Sequence, residues 1–170
     1  MIIRQATARD VRAIADLVRP YASRRILIAK ELIDYFEDVQ EFSVAECDGE
    51  IIGCGAVHVF WEDIAEIRTL AIRPQYLGKG IGRALVRHLE QRARELGVRR
   101  LFCLTFEVDF FERAGFHQIS GTPVGVDVYQ EMLRSHDDGT AEFLELARVK
   151  PNTLGNYRML KELDVPDPAL

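Results

Sequence analysis

Three glycines stand at alternate positions in the segment Gln75-Tyr76-Leu77-Gly78-Lys79-Gly80-Ile81-Gly82. This segment follows a predicted strand and precedes a predicted helix. Glycine lets the backbone approach a ligand closely, and the N–H groups in the first turn of a helix have no partner inside the helix. The helix dipole adds about 0.3 to 1 kcal/mol for a negative charge placed there. The spacing therefore predicts an anion site, and a pyrophosphate suits it because it accepts several N–H donors at once.

Two well-known phosphate-binding patterns do not fit this segment. The chain has no G-x-x-x-x-G-K-[ST] sequence, and the glycine spacing is not G-x-G-x-x-G followed by an acidic residue on the next strand. The alternative interpretation is a tight strand-to-helix connection that holds no ligand. The preceding Gln75, the strand and the helix in register favour phosphate binding over that alternative.

The elements that position this segment follow from hydrophobic periodicity. Apolar residues repeat every three or four positions after Gly80, which predicts a helix over residues 81–96 that ends at Gly97. A capping box at Thr7 and Asp10 starts an earlier helix, and residues 29–38 and 107–114 favour two more. Strands are predicted over residues 2–5, 42–46, 51–60, 64–72, 99–106 and 116–120.

These elements predict an α/β (α+β) fold, in which helices pack on a mixed sheet. Asp48-Gly49 predicts a hairpin between the second and third strands. The tail is less regular. Residues from Val126 to Leu133 favour a helix, residues 142–149 fit either a strand or a helix, and residues 151–155 are predicted as a loop.

Composition limits the class of protein. The 170 residues have room for a single domain over 1–170, and the net charge of -5 argues against a nucleic-acid partner. Cys47, Cys54 and Cys103 show neither disulfide nor zinc-site spacing, so we expect reduced thiols, no metal and a cytoplasmic protein. No segment has the pattern of a leader or a membrane span, so no membrane partner is expected.

The glycine segment resembles the acetyl-CoA signature Q/R-x-x-G-x-G/A of the GCN5-related N-acetyltransferases, the GNAT family. The order of strand, helix, strand and the motif Phe111-Glu112-Arg113-Ala114-Gly115-Phe116 extends the resemblance over roughly the first 120 residues. It implies a GNAT-like central mixed, mostly antiparallel sheet flanked by helices. Residues 122–170 would then be a C-terminal extension of the same domain.

The resemblance implies where acetyl-CoA binds. The backbone of Leu70, Ala71 and Ile72 would pair with the pantetheine arm, and the N–H of Leu70 would polarise the thioester carbonyl as it becomes an oxyanion. The pyrophosphate would be held by the backbone amides of the glycine segment, with Gln75 leading into it. The amides concerned belong to Leu77, Gly78, Lys79, Gly80, Ile81, Gly82 and Arg83.

Acetyl transfer needs a neutral amine, so a carboxylate, or a water held by one, must take a proton from the acceptor. Glu66 is the first candidate, on the same face of its strand as Arg68, Leu70 and Ile72 by the period of two. An ion pair between Glu66 and Arg68 without a catalytic role is an equal alternative.

Glu107, which follows Thr105 on the next strand, is the second candidate for the base. Many family members carry a Tyr on the short helix after this strand to protonate the leaving thiolate. Phe110-Phe111 stands there in this chain, so that role passes to Thr105, to water or to no group.

Four stretches also resemble the N-acetylglutamate synthases of arginine biosynthesis, at residues 26–30, 52–56, 65–67 and 102–105. The resemblance implies L-glutamate as the acceptor, whose two carboxylates need cationic partners. The candidate substrate-binding residues are Arg25, Lys30, Cys54, Arg68, Lys150 and Arg158. Each cation is alternatively a surface charge, and Cys54 a small buried apolar residue.

Two other functions stay open at this point. The first is acetylation of another small amine or of a protein, and an acidic pocket would favour a cationic acceptor. The second is a non-catalytic acyl-CoA sensor or regulatory subunit, which the missing Tyr supports. Family members often form homodimers through a sheet edge, and a homodimer is expected on that ground alone.

Overall fold

The computed structural model describes residues 1–152 and 154–164. Its centre is a seven-stranded sheet with the order β1-β2-β3-β4-β5-β7-β6. The strands are β1 (Ile2–Gln5), β2 (Phe42–Cys47), β3 (Glu50–Trp61), β4 (Ile64–Ile72), β5 (Arg100–Thr105), β6 (His117–Gln118) and β7 (Tyr157–Glu162). The helices are α1 (Val11–Ser23), α2 (Leu32–Glu37), α3 (Ile81–Glu95), α4 (Val108–Arg113), α5 (Val126–Met132) and α6 (Asp138–Phe143).

The pairing of the strands is antiparallel except between β4 and β5, which are parallel. Asp48 and Gly49 close the β2–β3 hairpin with φ angles of 50° and 80°, as the turn chemistry predicted. The expected fold class, a mixed and mostly antiparallel sheet flanked by helices, is confirmed.

Helices cover both faces of the sheet. On one face, α3 packs through Val86, Leu89 and Ala93 against apolar residues of β3, β4, β5 and β7. Gly55 on β3 makes this possible, because a Cβ there would lie 2.8 Å from Leu89 Cδ1. The other face carries α1 over β2 and β3, and α5 and α6 over β4, β5 and β7. We call these the α3 face and the α6 face.

Three predictions of local structure were wrong, and one strand was not predicted. The strand without a prediction is β7, in the tail, which lies inside the sheet between β5 and β6. The helix expected over 29–38 begins only at Leu32, and the strand expected over 116–120 is reduced to His117–Gln118. The segment 142–149 is neither a single strand nor a single helix, because α6 ends at Phe143 and a 3-10 turn begins at Ala147.

Within the described ranges, no helix combines the length and apolar character needed to cross a bilayer.

Candidate active site

The two parallel strands in the middle of the sheet separate partway along their length. Their register begins at Ile64 and Arg100 and ends at Glu66 and Phe102. Beyond that point β4 continues to Ile72 and β5 to Thr105. The strands therefore leave a wedge in the sheet, where the ladder pairing of β4 with β5 has ended.

A β-bulge lies in β4 beside this wedge. Between the pairs Cys54–Ala71 and Ala56–Arg68, β3 has one residue and β4 has Thr69 and Leu70. Thr69 has a φ of 57°, which is unusual for a β-branched residue and costs of order 1–3 kcal/mol. A bulge with this cost at the wedge suits a functional role for the direction in which the β4 backbone groups point there.

Because of the bulge, the prediction that Glu66, Arg68, Leu70 and Ile72 share one face of β4 was wrong. Glu66 and Arg68 face α6, but Leu70 and Ile72 pack with Leu85 on the α3 face. One additional residue reverses the alternation, because successive side chains of a strand point to opposite faces. Glu66 and Arg68 are therefore on the opposite face of the sheet from Leu70 and Ile72.

The glycine segment forms the start of α3. A 3-10 turn over Pro74–Tyr76 leads into Gly78 and Gly80, which have φ angles of 75° and 80°. Gly80 is the N-cap of α3, and no heavy atom lies within 4 Å of where its Cβ would be. No side chain caps the start of α3, and the first N–H groups of a helix have no partner inside it, which is what an anion site requires.

A cavity of about 680 Å³ opens on the α6 face of the sheet. Its floor contains Glu66, Arg68 and Thr69 of β4 and Leu104 of β5, so it lies where the two strands separate. One wall is the connection between α1 and α2, with Arg25 and Lys30, and we call it the cationic wall. The opposite wall, with Asp137, Asp138, Gly139 and Glu142, is here called the acidic wall.

Arg68 holds the acidic wall to the floor. Its two terminal nitrogens each donate to one oxygen of Asp137 at 2.8 Å, and its Nε donates to Glu66 Oε2 at 2.8 Å. The Arg68 side chain is 8% exposed and that of Glu66 is 7% exposed. Asp137 also accepts from the N–H of Thr140 and so caps α6.

The burial of this cluster shifts the proton affinities of its members. Burial raises the pKa of Glu66, although the charge of Arg68 opposes the shift. Burial also acts to raise the pKa of Asp137, but the hydrogen bonds from Arg68 outweigh it and the pKa falls below its usual range. The Arg68 pKa is raised, because Glu66 and Asp137 outweigh its own desolvation. The pair of Arg68 and Asp137 is therefore fully charged.

Glu142 is a buried carboxylate of the acidic wall. It is 4% exposed, and among the described residues its Oε1 has no hydrogen-bond partner. Burial, together with the charge of Glu66, raises the pKa of Glu142 to about 7. Sequence reasoning missed Asp137 and Glu142, since both lie in the irregular tail.

The cationic wall is built differently. Lys30 donates to Asp38 Oδ2 at 3.1 Å and its side chain is 15% exposed. Arg25 is exposed and has a φ of 57°. Glu66, Arg68, Lys30 and Arg25 are thus the predicted site residues that the structure brings together around the cavity.

The other predicted residues lie outside the cavity lining in the part of the chain that the structure describes. Cys54 is fully buried beside α1, where its thiol donates to the carbonyl oxygen of Thr69 at 3.5 Å and burial raises its pKa to about 12. Lys150 is exposed on the 3-10 turn Ala147–Asn152.

Arg158 and the pair after β5 have local partners. The Arg158 guanidinium lies 4.9 Å from the centre of the Phe102 ring and donates to the carbonyl oxygens of Gly121, Glu142 and Phe143. Thr105 Oγ1 accepts from the N–H of Glu107 at 2.8 Å, and Glu107 is exposed. Arg158 thus joins β7 to the backbone of residues 121–143, and the Thr105–Glu107 hydrogen bond lies in the turn that leads into α4.

Among residues 1–152 and 154–164, no group of three or more His, Cys, Asp or Glu side chains is arranged to bind a metal ion.

Comparison with known proteins agrees with this geometry. The profile of the acetyltransferase (GNAT) family matches residues 11–116. An amino-acid acetyltransferase from Mycobacterium tuberculosis is 53% identical over 162 residues, which cover 94% of this chain and 92% of that protein. The chain belongs to the GNAT acetyltransferase family, and the expectation of an acetyl-transferring enzyme is confirmed.

Two solved structures are also similar. Rv2747 from Mycobacterium tuberculosis, solved in complex with CoA and NLQ, has a TM-score of 0.93 and 52% identity, covering 96% of this chain and 99% of that one. N-acetylglutamate synthase from Neisseria gonorrhoeae, complexed with coenzyme A and N-acetyl-glutamate, has a TM-score of 0.75 and 29% identity. That match covers 95% of this chain and 35% of the synthase chain.

Proposed function

We propose that this protein transfers the acetyl group of acetyl-CoA to the α-amine of L-glutamate. The observation that carries the proposal is the position of the cavity, which opens where β4 and β5 separate. A thioester lying in the wedge would face an acceptor held in the cavity. The reaction then needs no rearrangement of the sheet.

The donor side uses backbone groups. Amides from Leu77 through Arg83 at the start of α3 are suited to the pyrophosphate, and the open edge of β4 over residues 70–72 is suited to the pantetheine amides. The N–H of Leu70, which follows the bulge, is our candidate for stabilising the oxyanion that forms when the amine attacks the thioester. The C–S bond then breaks and the electron pair leaves on sulfur.

The acceptor side uses the two walls. Arg25 and Lys30 are placed to bind carboxylates, and Glu66 and Glu142 are placed to attract an ammonium group. An amino acid carries both charges, so it would bind with a defined orientation. The relatives named amino-acid acetyltransferase and N-acetylglutamate synthase support glutamate as that amino acid.

The proposal includes a cellular compartment and an oligomeric state. Both substrates are metabolites of the cytoplasm, where we place the protein, and reduced cysteines fit that compartment. A homodimer is expected from the family resemblance, and light scattering on the purified protein tests it.

A second candidate acceptor is an amino acid or small amine with a neutral or cationic side chain. The cavity lining favours it, because Asp34, Glu37 and Asp38 add negative charge beside the cationic wall and the charge of Arg68 is already neutralised. A γ-carboxylate would have to avoid these groups, whereas an amide or ammonium would not.

CoA release with a panel of free amino acids tests the proposal. We expect glutamate to be the best acceptor, measured as kcat/KM against glutamine, aspartate, lysine and ornithine. A preference for glutamine or lysine would support the second candidate. Binding of CoA in calorimetry without turnover of any amino acid would instead indicate an acyl-CoA sensor and refute an enzymatic role.

A further inference from the structure

We infer that Glu142, rather than Glu66, is the carboxylate that takes the proton from the acceptor's α-ammonium group. This inference rests on the proposed function, since it assigns a step of that reaction. Glu142 lines the cavity, and its Oε1 is buried without a hydrogen-bond partner among the described residues. Buried carboxylates normally have partners, so an exception needs an explanation.

The position of α6 directs Glu142 toward the reaction centre. A Cβ at Gly139 would lie 2.5 Å from a terminal nitrogen of Arg68 and 3.0 Å from Glu66 Oε2, so the first turn of α6 touches the floor of the cavity. Glu142 is three residues later, on the same side of the helix. Both residues line the cavity, whose floor contains Glu66, Arg68 and Leu104 where β4 and β5 separate.

Glu66 is less suited to accept a proton. Its Oε2 receives two nitrogens of Arg68, at 2.8 and 2.7 Å. Protonation of Glu66 would weaken a buried ion pair, which costs free energy at the moment of reaction. Glu142 Oε1 has no such partner to lose. Its pKa of about 7, raised by burial, also suits a general base that works near neutral pH.

The reaction is a proton transfer followed by an acyl transfer. An N–H bond of the ammonium breaks and an O–H bond forms on Glu142, which leaves a neutral amine. The lone pair of that amine attacks the thioester carbon, and the C–S bond breaks with its electrons on sulfur. The amide nitrogen then loses its second proton, which neutralises the thiolate and gives CoA as the thiol.

Several charged groups surround Glu142 and set its behaviour. Glu66 and Arg68 face it from β4, and Asp137 and Asp138 belong to its own helix. From β7, Arg158 donates to the backbone carbonyl of Glu142 at 3.1 Å and contributes a positive charge. The two hydrogen bonds between Arg68 and Asp137 do not involve Glu142, so Glu142→Gln removes neither of them.

The test compares pH profiles of kcat/KM for the wild type and Glu142→Gln, using the amino acid that the wild type acetylates best. We expect the variant to lose roughly 100- to 10,000-fold at pH 7. We also expect it to recover toward the wild type at pH 10, where the amine arrives already neutral. A purely structural role for Glu142 would lower activity equally at both pH values and would overturn the inference.

Glu131→Gln on α5 is the matched control, because Glu131 is exposed and the substitution removes the same charge. Calorimetric affinity for CoA monitors folding, and we expect it to be the same in both variants. Glu142→Asp, which keeps the carboxylate, should restore part of the activity. An unchanged profile in Glu142→Gln overturns this inference alone, whereas absence of turnover in the wild type refutes the proposed function and the inference together.

Discussion

The two walls of the cavity differ in how the fold holds them. The acidic wall is fixed by Arg68, which is buried and bonded to both Asp137 and Glu66. The cationic wall is an exposed connection whose Lys30 makes one partly exposed ion pair with Asp38. The charges of Arg68 and Asp137 are thus part of the packed structure, whereas charge on the cationic wall can change at little cost in stability. Substitutions at Arg68 should therefore act mainly on stability, and substitutions at Lys30 mainly on acceptor binding.

The substitution expected to destabilise the acidic wall most is Arg68→Met. Methionine has a similar length but no charge, so the carboxylates of Asp137 and Glu66 would remain buried without their partner. We expect the free energy of unfolding to fall by about 3–5 kcal/mol. Urea denaturation followed by circular dichroism measures this change.

The control for this substitution is Arg134→Met, just after α5 ends at Met132. Arg134 pairs with Glu131 but its side chain is 79% exposed. Exposed pairs contribute about 0–1 kcal/mol, so the control should stay close to the wild type. Equal effects of the two substitutions would show that Arg68 does not hold the acidic wall.

The stability of the protein should depend on pH through Glu142 of the acidic wall. Burial raises the Glu142 pKa from 4.5 to about 7, so between these values the folded state binds one more proton than the unfolded state. Stability therefore falls as pH rises through this range. Glu142→Gln removes this loss, and we expect the variant to gain up to about 3 kcal/mol over the wild type between pH 4 and pH 8.

Unfolding free energies of the wild type and Glu142→Gln at the two pH values measure the gain. The control Glu131→Gln should show no such gain, since Glu131 is exposed. A variant that gains stability at pH 8 while losing acetyl transfer would identify Glu142 as a group retained for function. No gain would mean that Glu142 is solvated in the folded protein.

Sequence patterns predicted much of the fold because the helices and strands up to Gly115 carry regular apolar periods. The tail lacks such a period. In β7, the sequence Tyr-Arg-Met-Leu-Lys-Glu contains cations that bind buried partners, and Lys161 donates to Glu90 and to the carbonyl of Ala114 at 2.6 Å. Polar side chains with internal partners give no signal that distinguishes a buried strand from an exposed one.

The candidate site also has parts that the sequence predicted and parts that it did not. The glycine segment was predictable because its backbone geometry needs glycine at a φ of 80°. The orientation of β4 was not, because a single bulge at Thr69 reverses the faces and β4 itself contains no glycine or proline to indicate it. In α6, Gly139 and Glu142 are buried by tertiary contacts alone, so no local pattern could predict them.

A smaller change to the acidic wall is Gly139→Ala. The new Cβ would lie 2.7 Å from the central carbon of the Arg68 guanidinium, and that group is fixed by its bonds to Asp137. Alanine favours a helix by roughly 1 kcal/mol, but the crowding should outweigh it and lower stability by about 1–3 kcal/mol. Chemical denaturation measures the difference. Gly125→Ala, where the new Cβ has open space but alanine is a poorer N-cap for α5 than glycine, should stay within about 1 kcal/mol of the wild type, and an equally small effect at Gly139 would contradict the tight contact.

The smallest effect on stability is expected on the cationic wall, with Lys30→Met. Loss of the partly exposed pair with Asp38 should change the free energy of unfolding by less than about 1 kcal/mol. The KM for the acceptor should rise roughly tenfold, which corresponds to about 1.4 kcal/mol of lost binding. The value of kcat should be almost unchanged, because the carboxylate contact is the same in the ground state and the transition state.

Steady-state kinetics with glutamate, with Arg134→Met as the control for loss of a cation, measure this effect. The decisive quantity is the ratio of the KM values for glutamate and glutamine. If Lys30 binds the γ-carboxylate, the substitution raises the KM for glutamate more than that for glutamine, since the amide has no charge to lose. If it binds the α-carboxylate, both KM values rise equally because both amino acids carry that group. An unchanged KM for both would place the acceptor's carboxylates away from the cationic wall and would contradict the assignment of roles to the two walls.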